Sequence, residues 1–268
     1  MNIKHRIALI LAIQCLCVTL LSTQVFAKQV YAVIVGLNTY SVCDASGKSN
    51  LNYCVKDAQS FAGLLLDMGV PKSNIHLLTE EKATSTNIMN ALNSTFRKAT
   101  EEDRVIFFFS GHGMPDFFIT YDCMKNLSHS DLKASFKASR SKDKLCFADA
   151  CFSGSLKAFG GSVASPITED GIEKNFKGFK SPNVNVAVFI SSRADQTSME
   201  APWLGNGAFT HFLLKGLRGE ADANKDRQLT INELYQFVSS NVKRETNNSQ
   251  IPVIFGQFSK NKVLVKFK

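Results

Sequence analysis

The stretch "DRVIFFFSGHG", residues 103–113, constrains this chain more than any other. Its apolar run does not alternate with polar residues, so a strand built from it has to be covered on both faces. That is the situation of a strand inside a parallel sheet flanked by helices. "VYAVIVGLN" (30–38), "NIHLLT", "KLCFADACFSG" and "VNVAVFISS" read as further strands. Between them lie "VKDAQSFAGLLLDMGV", "TSTNIMNALNSTFRKAT" and "LSHSDLKASFKAS", with "GAFTHFLLKGLRG" after the last strand, all with apolar residues at helical spacing. Strands alternating with helices predict a doubly wound, mostly parallel α/β sheet in a single domain.

The first 27 residues stand outside that pattern. Lys4, His5 and Arg6 form a basic head, an apolar run follows, and Val25-Phe26-Ala27 makes a small-x-small exit. This is the layout of a secretory signal peptide cleaved after Ala27, leaving residues 28–268 as the mature domain, secreted or periplasmic. The alternative is a retained anchor, against which the short apolar core argues. No later segment is apolar for long enough to span a bilayer, so no membrane contact is expected after leader removal. Losing Lys4 and Arg6 with the leader lowers the formal charge from +8 to +6. The remaining lysines are scattered without interleaved aromatic platforms, which argues against a nucleic-acid partner.

Five cysteines remain, at 43, 54, 123, 146 and 151, and an odd count in an exported protein suggests one free thiol. Cys43 and Cys54 are close enough in sequence for a disulfide, although spacing alone leaves the pairing open. Residues 155–183 are rich in Gly, Ser and Lys and separate two buried strands. A loop of that length in a compact domain is usually functional or disordered.

Ligands of open α/β sheets bind beyond the carboxyl ends of the strands. Two strand ends here carry unusual residues, Ser110-Gly111-His112-Gly113 and Asp149-Ala150-Cys151-Phe152-Ser153-Gly154. A cysteine and a histidine at neighbouring strand ends make a nucleophile and general-base pair. Taken singly, the cysteine would read as core and the histidine as a satisfied polar group. The glycine after each favours the reactive reading, because glycine lets the backbone turn sharply and approach a ligand.

"FFFSGHG" and "FADACFSG", with 39 residues from His112 to Cys151, resemble the paired motifs of the caspase-like cysteine peptidases. The nearer likeness is to the metacaspase and paracaspase branch and its bacterial relatives. "YAVIVGLN", "KDAQSFAGLL", "SSRADQTSME" and "GAFTHFLLKGL" extend it over the mature chain. The resemblance implies a caspase-like α/β/α sandwich. It also implies a His112–Cys151 dyad and an oxyanion hole from the backbone N–H groups of Gly113 and Cys151.

Caspases carry a glutamine two residues before the nucleophile, where this chain has Asp149. A carboxylate in that pocket repels acidic side chains and attracts Arg or Lys, so protein or peptide substrates cleaved after Arg or Lys are expected. The resemblance adds Asp57 as a second pocket carboxylate and Ser110 as a lining residue. Asp57 alone could instead cap its helix, and Asp149 could orient its own turn. Gln196, Ser198 and Glu200 fall where the family meets the peptide, and Trp203 where a wall could stand, although ordinary loop roles also fit them.

"DANKDRQLTINE", residues 222–233, nearly spells a calcium loop, with Asp222, Asn224, Asp226, Gln228, Thr230 and Glu233 at ligand positions. Arg227 stands where glycine makes the turn. The competing reading is a helix start, with Thr230 as N-cap and Glu233 completing a capping box. No cofactor is needed for the dyad itself; Ca2+ would be a modulator. Lys157, Lys174, Lys177 and Lys180 in the long loop would suit self-processing by such an enzyme. Other readings are a catalytically silent binding or scaffold member, an exported calcium-binding protein, and a legumain-like relative preferring Asn.

Overall fold

The computed structural model describes residues 28–40, 50–114, 116–123, 125–150, 184–191, 200–201 and 203–267. Cys151, the 155–183 loop, Gln196 and Ser198 therefore lie outside the described residues. The central sheet contains β1 (Val30–Gly36), β2 (Ile75–Thr79), β3 (Arg104–Ser110), β7 (Asp143–Asp149), β8 (Val186–Ile190) and β12 (Val253–Gly256). Their order across it is β12-β8-β7-β3-β1-β2. All neighbours are parallel except β12, which pairs antiparallel with β8 at one edge. The sequence reading did not contain β12, whose four residues follow Pro252 and are too few to carry a period.

Helices cover both faces, and strand alternation shows why. Val33, Val105, Phe107, Cys146 and Val188 point to one apolar cluster with α2 (Ser85–Phe96) and α3 (His129–Ala138). Ile34, Ile106, Phe108, Phe147 and Phe189 point to the other, with α1 (Cys54–Asp67), α4 (Ala208–Lys215) and α5 (Ile231–Glu245). Every residue of β3 and β7 is buried, as the non-alternating runs required. The α/β/α sandwich is thus observed.

Three small sheets decorate this frame. β4 (Gly113–Met114), β5 (Phe117–Phe118) and β6 (Leu127–Ser128) fold back directly after His112. β9 (Glu200–Ala201) pairs with β10 (Asn206–Gly207), and β11 (Gln228–Thr230) with β13 (Val263–Lys266). At the amino end of the sheet, Arg104 Nε donates to Asp143 Oδ2 at 2.9 Å. Lys28, the first residue after the expected cleavage point, also ion-pairs with Asp143.

The cysteines differ from the sequence expectation. Cys123 is disulfide-bonded, whereas Cys54 and Cys146 are buried thiols. The Cys43–Cys54 bridge that spacing allowed is therefore not formed, Cys43 itself lying outside the described residues. Cys54 opens α1 close against the end of β1, where a Cβ on Gly36 would lie 2.5 Å from the Cys54 carbonyl oxygen. Burial pushes the Cys146 thiol far up, so it has no nucleophilic role.

Candidate active site

The chain crosses from β1 to β2 on one side and returns to β3 on the other, so the loops after β1 and β3 diverge. That divergence opens the crevice in which doubly wound sheets hold ligands. Gly36, Ser110 and Asp149 are in register across β1, β3 and β7. His112 lies two residues beyond Ser110, and Cys151 is two residues beyond Asp149. The ladder therefore sends the two motif residues off the same rung of adjacent parallel strands, with Cys151 itself just outside the described residues.

His112 is half-buried, and its backbone is held on both sides. Its N–H donates to the Tyr40 hydroxyl at 2.8 Å, and its carbonyl accepts from Ile119 N at 2.9 Å. Ala150, the residue before Cys151, is clamped as well. Its N–H donates to Ser191 Oγ, and Ser191 Oγ donates to its carbonyl, both at 3.1 Å. Gln250 Nε2 donates to the Ser191 carbonyl at 2.9 Å, and the Gln250 amide donates to Thr246 Oγ1 at 3.1 Å. Gln250 is wholly buried. Gln250→Ala is expected to lower stability by about 1–3 kcal/mol by stranding buried polar groups. Thermal unfolding measures it, and an unchanged Tm would show that the clamp carries no strain-bearing bond.

Behind these strand ends lie two buried carboxylates. Asp57 is 1% exposed and Asp149 5% exposed. Asp57 does not cap α1; Asn38 Oδ1 does so by accepting from Val55 N at 3.1 Å. Instead Asp57 Oδ1 accepts from Asn206 Nδ2 at 2.8 Å and from Gly207 N at 3.1 Å, and Oδ2 accepts from Ser110 Oγ at 2.9 Å. Asp149 Oδ2 accepts from Thr210 Oγ1 at 2.7 Å and Thr210 N at 3.2 Å. Both carboxylates thus draw on the start of α4, where unsatisfied N–H groups favour negative charge.

Gly207 sits between them. A Cβ there would meet Asp149 Oδ2 at 2.6 Å and Asp57 Oδ2 at 3.1 Å, so only glycine leaves the carboxylates in place. Burial first, then the nearby Asp149 charge, push Asp57 up to about 7, against the pull of its hydrogen bonds from Asn206, Ser110 and Gly207. Two buried like charges side by side are costly until a cation reaches them.

Of the expected site residues, the structure brings together His112, Ser110, Asp149 and Asp57. The backbone of Glu200 joins them through its pairing with Gly207. Trp203 is 67% exposed, with its indole N–H on Glu245 Oε1 at 2.7 Å. Sequence reasoning missed Tyr40, Asn206, Gly207, Thr210, Ser191 and Gln250. Asn206-Gly207 carried a turn signal before a helix, and the others carried none.

Residues 222–233 form a closed loop on their own. Asp222 Oδ2, Asn224 Oδ1 and Asp226 Oδ1 accept from the backbone N–H groups of Arg227, Asp226 and Gln228. Gln228 enters β11 opposite Lys266. Thr230 and Glu233 make the capping box, with Glu233 Oε2 accepting from Thr230 Oγ1 at 2.7 Å. Arg227 adopts the left-handed φ of 62° that glycine would take. Among the described residues no group of three or more carboxylate, imidazole or thiol side chains converges to hold a metal ion.

A fold of this order with such a strand-end site defines an α/β peptidase-like domain. The sequence profile of the caspase domain matches residues 29–263, and the chain belongs to that family of cysteine peptidases. A relative described as a probable protease, from a Desulfuromonadales bacterium, is 28% identical; the match covers 81% of this chain but 30% of that protein. The chain thus spans less than a third of that relative's length. A Geobacter sulfurreducens protein of known crystal structure matches 90% of this chain and 100% of its own, with a TM-score of 0.63 and 16% identity, a likeness of fold.

Proposed function

We infer that this protein is a cysteine endopeptidase of the metacaspase-like branch, cleaving after Arg or Lys with His112 and Cys151. The observation that carries this reading is the pair of buried carboxylates, Asp149 at the end of β7 and Asp57 on α1 bonded to Ser110 at the end of β3, beside the points from which the two motif residues leave. In this reading the two carboxylates face a hollow for the substrate side chain, where an entering Arg or Lys neutralises charge that burial otherwise disfavours, whereas Asp or Glu adds to it.

The reaction follows ordinary thiol chemistry. His112 takes the Cys151 proton, and the thiolate attacks the scissile carbonyl carbon. The oxyanion is held by the N–H groups of Gly113 and Cys151. Collapse breaks the C–N bond as the imidazolium gives its proton to the leaving amine. Water, deprotonated by His112, then hydrolyses the acyl thioester and restores the thiol.

Residues 1–27 direct export in this reading, giving a secreted or periplasmic enzyme. Self-cleavage at Lys157, Lys174, Lys177 or Lys180 accompanies it, supported by the enzyme's own preference. Calcium modulation through residues 222–233 is a separate proposal, supported by Asp222 Oδ1, a buried oxygen without a hydrogen-bond partner.

A panel of fluorogenic peptides with Arg, Lys, Asn, Gln or Asp at the cleaved position, run with and without millimolar calcium, tests all of this. Arg or Lys turnover at least about 100-fold above Asp is expected, since a buried charge mismatch costs several kcal/mol. Faster cleavage after Asn would turn the assignment to a legumain-like enzyme, and no turnover with intact Cys151 would favour a silent scaffold. On a denaturing gel, wild type is expected to show fragments that Cys151→Ala lacks.

A further inference from the structure

We propose that Tyr40 is a positioning residue for His112, holding the imidazole from the opposite wall of the crevice; this rests on the dyad reading above. Tyr40 comes from the loop after β1 and His112 from the loop after β3, the two loops that diverge at the reversal of strand order. Nothing in the local sequence of either links them.

The contact has two parts. The Tyr40 hydroxyl accepts the His112 backbone N–H at 2.8 Å, and the two rings lie 4.6 Å apart between centroids, tilted by 50°. Tyr40 is wholly buried, so the hydroxyl is presented from a fixed direction. Its loop is pinned in turn: Tyr40 N donates to Asn50 Oδ1 at 2.8 Å, and Thr39 N donates to Glu80 Oε2 at 3.1 Å.

Gly111 shows how close the approach is. A Cβ there would lie 2.5 Å from the Tyr40 hydroxyl oxygen and 3.1 Å from two ring atoms of Phe109. The first glycine of Gly-His-Gly therefore makes room for the tyrosine that holds the next residue. The N–H bond to Tyr40 and the carbonyl bond to Ile119 fix the His112 backbone, and the Tyr40 ring packs beside the imidazole. A general base must stay within hydrogen-bond reach of the proton it takes, so such a restraint acts on rate and not on substrate affinity.

Tyr40→Phe keeps the ring and removes the acceptor, and Tyr40→Leu removes both. With an arginyl fluorogenic peptide, kcat is expected to fall about 10-fold in Tyr40→Phe and about 100-fold in Tyr40→Leu, with KM within about twofold in each. Gly111→Ala is expected to cost activity in wild type and somewhat less in the Tyr40→Phe background, where the oxygen it strikes is gone while the φ of 159° and the Phe109 contacts remain; that partial non-additivity marks direct coupling. The His112 amide, followed by hydrogen exchange in the catalytically dead Cys151→Ala background, is expected to exchange faster in Tyr40→Phe. An active wild type whose Tyr40→Phe form keeps full kcat, or an unchanged His112 amide, overturns the proposal and leaves the peptidase reading standing. A wild type inactive on every peptide overturns both.

Discussion

His112→Ala is expected to lower kcat on arginyl peptides by about 1,000-fold, the range in which general acid–base catalysis contributes. KM is expected to change little, because in the proposed mechanism the imidazole acts on the reacting bond and the carboxylates hold the substrate side chain. The fold tolerates the change. The bonds that anchor this residue use its backbone N–H and carbonyl, to Tyr40 and Ile119, and alanine keeps both. Cys151→Ala is expected to abolish turnover, and adding His112→Ala to it to do nothing further, since the two act as one unit. Activity of the single histidine variant within tenfold of wild type would remove His112 from the chemistry.

Asp57→Asn is expected to raise stability while lowering kcat/KM for arginyl peptides by about 100-fold. The stability effect follows from the sign of the shift. Asp57 is pushed up to about 7 by burial and by Asp149, so the folded protein holds this proton more tightly than the unfolded chain does. As pH rises from about 4 to about 7, the unfolded chain releases its proton first, and this group's contribution to stability declines across that window. Asparagine cannot ionise, and its Tm advantage over wild type is expected to grow with pH and level off above about 8. The substitution fits the site. Its carbonyl oxygen can accept from Asn206 and Gly207, and its amide can donate to the Ser110 hydroxyl.

The same group is expected to shape catalysis. For arginyl peptides kcat/KM is expected to rise with pH through about 7 as the hollow becomes fully charged. A citrulline peptide, equal in shape but neutral, is expected to lack that component. Thermal unfolding at several pH values and paired pH–rate profiles measure both effects. An Asp57→Asn protein less stable than wild type at pH 8, with arginyl turnover intact, would show that the carboxylate is structural and not part of a cation hollow.

How much of this was readable in advance depends on where the signal lies along the chain. β1, β3, β7 and β8 were legible because each is buried on both faces and spells an unbroken apolar run. β12 was not, being a short edge strand whose residues are only half-buried. The cysteine pairing stayed open in the sequence because proximity along the chain says nothing of side-chain direction once one partner joins a helix, as Cys54 does. The helix expected over 207–219 gives way after Lys215 to a wider turn over Gly216–Glu220, broken at Gly219, whose φ is 115°.

By itself the sequence determined the sheet, its two helical layers, and the two strand ends with His112 and Asp149, because period, burial and glycine placement are local properties. Only the tertiary structure decided what surrounds them. Asp57 faces Asp149 across Gly207; Asn206 reaches Asp57 from β10 and Thr210 reaches Asp149 from α4, and Tyr40 meets His112 from a different loop. Those contacts join residues up to 150 positions apart. They follow from the order in which parallel strands are laid side by side, which no local pattern of residues encodes.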